Sequence, residues 1–194
     1  MSNYSPSTAL IVVDAQNDFA DPSGSLSVSD AVSILPRINR EIKQARKAGA
    51  LVIYTQDWHP PSTPHFAKDG GIWPVHCVAY TWGAELHPDL LVDGEMIRKG
   101  ANGEDGYSGF TMRDTISGKE IPTPLKARLR RNGVERVVVC GLATDYCVKA
   151  TALDARRLGF ETVVLTQAIA AVNLKIDDEQ QAIGQMAAAG VQLV

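Results

Sequence analysis

The chain has 194 residues, 45% hydrophobic and 21% charged, with a formal net charge of -3. Those figures suit one globular domain over 1–194, with an interior large enough to need no staples. An acidic balance without a basic run argues against nucleic-acid and membrane partners, and no window approaches the roughly 18 apolar residues of a membrane span.

In chain order, short β-branched apolar runs alternate with helical patterns. Strands are predicted at residues 10–13, 51–55, 96–98, 136–140, 162–165 and 191–194. Four of them are nearly continuous apolar runs, as parallel strands covered on both faces require. Residues 35–48 read as a helix, with Ile38, Ile42 and Ala45 on one stripe, Pro36 in the first turn and Gly49 as the stop. Further helices are predicted from Thr123-Pro124 to about Asn132-Gly133, from Thr144-Asp145 to Gly159, and over about 177–189. This βαβ rhythm predicts an α/β fold: a Rossmann-like, doubly wound, mainly parallel six-stranded sheet flanked by helices. The rhythm breaks over about 57–122, a Pro- and Gly-rich stretch that holds all four histidines and Trp58, Trp73 and Trp82. So long a loop region is expected to be functional, here as a metal-binding and lid region, and its tryptophans argue for order.

Three cysteines (Cys77, Cys140, Cys147) are an odd number without framework spacing. Together with a start that lacks the basic region and apolar stretch of a secretion signal, they predict a reducing, cytoplasmic setting.

In an open parallel sheet, ligands sit beyond the carboxyl ends of the strands. Those ends carry Asp14, Asp57 with His59, Lys99, and the segment 141–147. Cys147 falls in the first turn of a predicted helix, where backbone N–H groups and the helix dipole favour a thiolate and could hold an oxyanion. The alternative for any such cysteine is a small buried hydrophobe; Cys140, inside an apolar strand, and Cys77 read that way. Asp14 either caps a loop or exchanges a proton with the thiol. Lys99 is either a solvated lysine or an ammonium that keeps the thiol and the carboxylate ionised. Asp57 and His59 share one side of a strand end and can grip one ion, with His65 and His76 closing the site from the loop. Nitrogen and oxygen donors suit zinc, iron or manganese. His87 has no partner in this cluster and reads as structural.

The motifs DAQNDF (14–19), DWHP (57–60), WPVHC (73–77), IRKG (97–100), YSGF (107–110) and GLATDYCV (141–148) occur in that order. Together they resemble the nicotinamidase/pyrazinamidase branch of the isochorismatase-like cysteine hydrolases, from about residue 9 onward. The resemblance implies a catalytic triad of Asp14, Lys99 and Cys147, and a divalent transition metal, zinc first and iron or manganese as alternatives, on Asp57, His59, His76 and, as a more variable ligand, His65. It further implies an aromatic pocket of Phe19, Trp73 and Tyr107, and a cis Leu142-Ala143 peptide that turns the Ala143 N–H toward the substrate. Ala143 and Cys147 would then hold the oxyanion through their N–H groups. No organic cofactor is implied. The activity implied is hydrolysis of nicotinamide, and of pyrazinamide, to the acid and ammonia through a thioester. The rival readings are another small-amide or carbamoyl amidohydrolase of the same superfamily and a catalytically dead metal-binding protein. The substrate is a small molecule in each enzymatic case, and a homo-oligomer is left open.

Overall fold

The computed structural model describes residues 4–194. Six strands form one parallel sheet: β1 (Thr8–Val13), β2 (Leu51–Asp57), β3 (Glu95–Lys99), β6 (Arg136–Leu142), β7 (Glu161–Ala170) and β8 (Gln192–Leu193). They lie in the order β3-β2-β1-β6-β7-β8. The order reverses between β1 and β6, and a crevice opens at such a reversal beyond the carboxyl ends of the strands. β4 (Thr111–Arg113) and β5 (Glu120–Pro122) pair separately as an antiparallel hairpin.

The alternation of β1 divides the interior. Leu10 and Val12 pack on one side with Ile38, Ile42 and Ala45 of helix α2 (Ala31–Lys47). Ala9, Ile11 and Val13 pack on the other, with Leu125 and Leu129 of α3 (Leu125–Arg131), Ala152 and Ala155 of α4 (Lys149–Arg157) and Met186 of α5 (Asp178–Ala188). All of β1 is therefore buried. Each fully buried aliphatic side chain contributes about 1.5–3 kcal/mol by leaving water. The stripe on α2 also carries the buried carboxylate Glu41, which accepts the Tyr4 hydroxyl (2.8 Å) and pairs with Arg37 (3.1 Å).

Two elements differ from expectation. Helix α2 begins at Ala31 rather than at residue 35, so Pro36 lies inside it; proline there leaves the carbonyl one turn earlier, on half-exposed Val32, without its helical partner. The region 57–122 is not all loop. It holds the short helix α1's docking turn at Trp82–Ala84, a second 3-10 turn at Ala67–Asp69 and the β4–β5 hairpin, with α1 itself (Asn17–Ala20) packed against it. Among the described residues no helix is long and apolar enough to cross a membrane.

Gly141 sets how closely β6 approaches β1. Its φ is +110°, and a Cβ there would overlap the Val13 carbonyl. Gly141→Ala is expected to cost about 3 kcal/mol or more through strain and clash, lowering Tm by roughly 6–12 °C. Calorimetry checks this, and an unchanged Tm would contradict the packing.

Candidate active site

Four strand ends deliver the polar residues to one place. Asp14 follows β1 with φ +44°, in the left-handed region, a conformation that clusters at functional sites. Asp57 ends β2 and Lys99 ends β3, and the two are register partners across that strand pair. Cys147 lies in a single π-type turn, Thr144–Val148, between β6 and α4, in which the Val148 N–H reaches the Ala143 carbonyl at 3.0 Å. Such turns are frequent at functional sites. Asp145 anchors that turn by accepting the backbone N–H groups of Val172 (3.0 Å) and Asn173 (2.8 Å).

Lys99 is the hub. Only 1% exposed, its Nζ lies 2.8 Å from Asp14 Oδ2 and 2.8 Å from Asp57 Oδ1. It also donates to the Tyr107 carbonyl at 3.1 Å and to Cys147 Sγ at 3.5 Å. Burial opposes the ammonium charge, but the two carboxylates outweigh it and hold the Lys99 pKa well above its usual value. Burial likewise works against the Asp57 carboxylate, and Lys99 with His59 and His76 overcomes it, bringing Asp57 down to about 2.

Asp14 and Cys147 go the other way. Burial raises the Asp14 carboxyl above the usual carboxylate range despite Lys99, and Asp57 pushes it further. Burial also lifts the Cys147 thiol well above its ordinary value; Lys99 pulls it down, and Asp14 and Asp57 push it back up. The sequence led to the expectation that the helix terminus and Lys99 would keep both groups ionised. In the structure both are buried, and desolvation of each anion works against the attraction of the one shared cation. The thiol, its pKa raised, stands beside a carboxyl of raised proton affinity, and Thr55 fixes that carboxyl by donating to Asp14 Oδ1 at 2.6 Å.

Beside this cluster three imidazoles converge: ring nitrogens of His59, His65 and His76 lie within 4.8 Å of one another, all buried. Asp57 stands between the two groups, its Oδ2 3.9 Å from His59 Nε2. Neither ring nitrogen of His59 has a hydrogen-bond partner, and burial lowers its pKa to about 4, so the ring is a neutral donor with lone-pair capacity unspent. Three buried imidazoles and a carboxylate with unsatisfied nitrogens fit a divalent transition metal. Gly100, at φ +76°, gives the His59 ring its room, since a Cβ there would stand 2.8 Å from Nδ1.

Phe19, Trp73 and Tyr107 line a cavity with about 350 Å³ of unfilled space, together with Asp57, His65, His76, Ala143 and Cys147. Trp73 Nε1 donates to the Tyr107 hydroxyl at 3.0 Å. The Leu142-Ala143 peptide is cis. His87 lies apart, accepting the Asp89 N–H at 3.2 Å, and Cys77 and Cys140 are buried and unpaired.

Four residues to which the sequence gave no role belong to the site. Tyr146 lines the cavity and meets the Trp73 ring edge-on at 4.8 Å. Gln16 brackets Asp57, accepting its N–H at 2.8 Å and donating to its carbonyl at 2.7 Å. Thr55 holds Asp14, and Asp105 accepts from His65 Nδ1 at 2.8 Å. The hydrogen bond from His65, helped by Arg113, holds the Asp105 carboxyl well below the usual carboxylate range. Gln16 and Asp105 stand inside or beside quoted motifs, which was the available signal.

Comparison with known proteins gives a consistent result. Residues 8–194 match the isochorismatase domain. A nicotinamidase of Escherichia coli (strain K12) is 37% identical, covering 97% of this chain and 94% of that protein. The crystal structure of the pyrazinamidase of Pyrococcus horikoshii in complex with zinc is similar at TM-score 0.86 and 43% identity, over 97% of this chain and 99% of that one. PnC1 from L. infantum in complex with nicotinate is similar at TM-score 0.89 and 37% identity, over 98% and 94%.

If Lys99 neutralises two buried carboxylates, Lys99→Met leaves them unpaired. A loss of about 3–5 kcal/mol at neutral pH is expected, read from urea unfolding; an unmoved midpoint would contradict the pairing.

Proposed function

The chain belongs to the isochorismatase domain family, and within it we propose a metal-dependent cysteine amidohydrolase of the nicotinamidase type, converting nicotinamide and pyrazinamide to the acid and ammonia. The observation that carries this reading is the juxtaposition around Lys99: a thiol, a carboxyl of raised proton affinity and a nitrogen-rich donor cluster share one small aromatic cavity. The relatives named nicotinamidase and the neighbour holding nicotinate support a pyridine carboxamide as substrate.

In this reading Phe19, Trp73 and Tyr107 flank the ring, a flat hydrophobic surface suited to aromatic stacking. The Asp14 carboxylate takes the Cys147 proton as the sulfur attacks the carboxamide carbon, forming the C–S bond and an oxyanion. The backbone N–H groups of Ala143 and Cys147 receive that oxyanion, each such donor lowering the barrier by about 2.7–4 kcal/mol. Collapse breaks the C–N bond, Asp14 returns its proton to the nitrogen, and ammonia leaves behind a thioester. Asp14 then deprotonates a water that attacks the thioester carbon, and the proton goes back to the sulfur as the acid departs. Lys99 stays charged throughout, and its ammonium offsets the negative charge that moves between Asp14, the sulfur and the oxyanion.

Asp57, His59, His65 and His76 would hold one metal ion. We assign zinc, with iron or manganese as alternatives, because imidazole-rich donor sets suit these ions and a similar structure carries zinc. When bound, the ion supplies a Lewis-acidic coordination point for a ligand lone pair in the cavity. Three unpaired cysteines fit a reducing, cytoplasmic setting.

Cys147→Ala is expected to lower ammonia release from nicotinamide by a factor of roughly 10,000 or more, with fold and metal content retained; normal turnover would remove Cys147 as nucleophile. His59→Ala should lose the metal and weaken substrate binding, and full metal occupancy, measured by elemental analysis, would count against the assigned site.

A further inference from the structure

Two of the three clustered imidazoles are locked by an acceptor on the far side of the ring. His76 Nδ1 faces the Pro74 carbonyl at 2.7 Å, and a carbonyl can only accept, so Nδ1 carries the hydrogen and Nε2 is left with the lone pair. His65 is held in the same sense by a side chain that no motif assigns: its Nδ1 lies 2.8 Å from Asp105 Oδ1. The Asp105 carboxylate is itself fixed by two other donors, the Gly106 N–H to Oδ1 at 2.9 Å and Arg113 to Oδ2 at 2.8 Å. The backbones of Asp105 and Arg113 also exchange two hydrogen bonds, which seat the carboxylate beside the turn end of the β4–β5 hairpin. The reach from ring to hairpin spans forty residues of chain, so it is a tertiary contact built by folding rather than a local turn.

Resting on the metal reading above, we propose that Asp105 is a positioning residue for the metal site. Its carboxylate holds His65 in the Nδ1–H form, with Nε2 available as the ligand, and ties that ligand to the β4–β5 hairpin. A carboxylate behind a ligating histidine fixes the ring's tautomer and orientation and makes it a stronger donor, and removing such a partner weakens metal affinity about 10–100-fold. Of the four proposed ligands, His65 is the one held by a side chain that is bonded to the hairpin; Asp57 is bracketed by Gln16 and His76 by its own loop.

The test is metal affinity, independent of turnover. The purified protein is stripped with a chelator and titrated with Zn²⁺ against a chromophoric competitor, and separately with Co²⁺ to record the visible spectrum. Asp105→Ala should raise the Zn²⁺ Kd roughly 10–100-fold and change the cobalt spectrum. His65→Ala should lose at least as much, and the double variant no more than His65→Ala alone, because Asp105 acts through that ring. Asp105→Asn keeps an acceptor oxygen for Nδ1–H and should recover part of the affinity; it also serves as the measured variant should Asp105→Ala fail to fold. Arg113→Ala, which removes an exposed donor to Oδ2 and leaves the His65 contact in place, should lose less affinity than Asp105→Ala. An unchanged Kd in Asp105→Ala, or a double variant in which the two losses multiply, overturns the proposal. A parent protein that takes up no zinc sinks the metal site itself, and this inference with it.

Discussion

A single buried ammonium organises this molecule. Lys99 contacts Asp14, Asp57, the Tyr107 carbonyl and the Cys147 sulfur at once, and those groups come from four separate chain segments. Enclosing two carboxylates without a cation would be strongly unfavourable, since an unpaired buried charge is among the most destabilising features a fold can contain. With the cation present, the two acids separate in character. Asp57, facing Lys99 and the histidines, is held as an anion; Asp14, deeper and repelled by Asp57, has its proton affinity raised. Two titratable groups driven apart by their surroundings mark out acid–base work.

The sheet explains why those segments meet. Parallel strands all deliver their carboxyl ends to the same rim, and the reversal of strand order between β1 and β6 opens a crevice there. Asp14, Asp57 and Lys99 need only be the residues at which their strands finish. Cys147 is carried in by the π-type turn after β6, which Asp145 secures against the segment following β7. The three-histidine cluster is then hung on the same rim by the long insertion after β2, so that thiol and imidazoles line one cavity.

Much of this was legible in the sequence, and the exceptions have physical reasons. The inner strands β1, β2 and β6 are apolar-rich runs buried on both faces, a signal that needs no tertiary context, while β3 and β8 at the sheet edges are partly exposed. The start of α2 escaped notice because a proline reads as a first-turn residue, yet here it sits in the second turn. The β4–β5 hairpin has three-residue strands, too short for any alternation to register. Asp14, Lys99, Cys147 and the histidines stand out as chemically able residues at strand ends or in one loop. Gln16, Thr55 and Asp105 do not, because their importance lies in bonds to residues about forty positions away. The upward pull of burial on the thiol is hidden for a related reason: helix position is visible in sequence, whereas burial of the sulfur is not.

The central claim is that Cys147, assembled beside Asp14 by Lys99, becomes acylated during each turnover. Hydroxylamine added to the nicotinamide assay tests it directly, because a thioester is intercepted by that nucleophile as well as by water. The account predicts that nicotinohydroxamate accumulates at the expense of nicotinate as hydroxylamine is raised, with ammonia release continuing. Ammonia formed with nicotinate as the sole acyl product at every hydroxylamine concentration would contradict it.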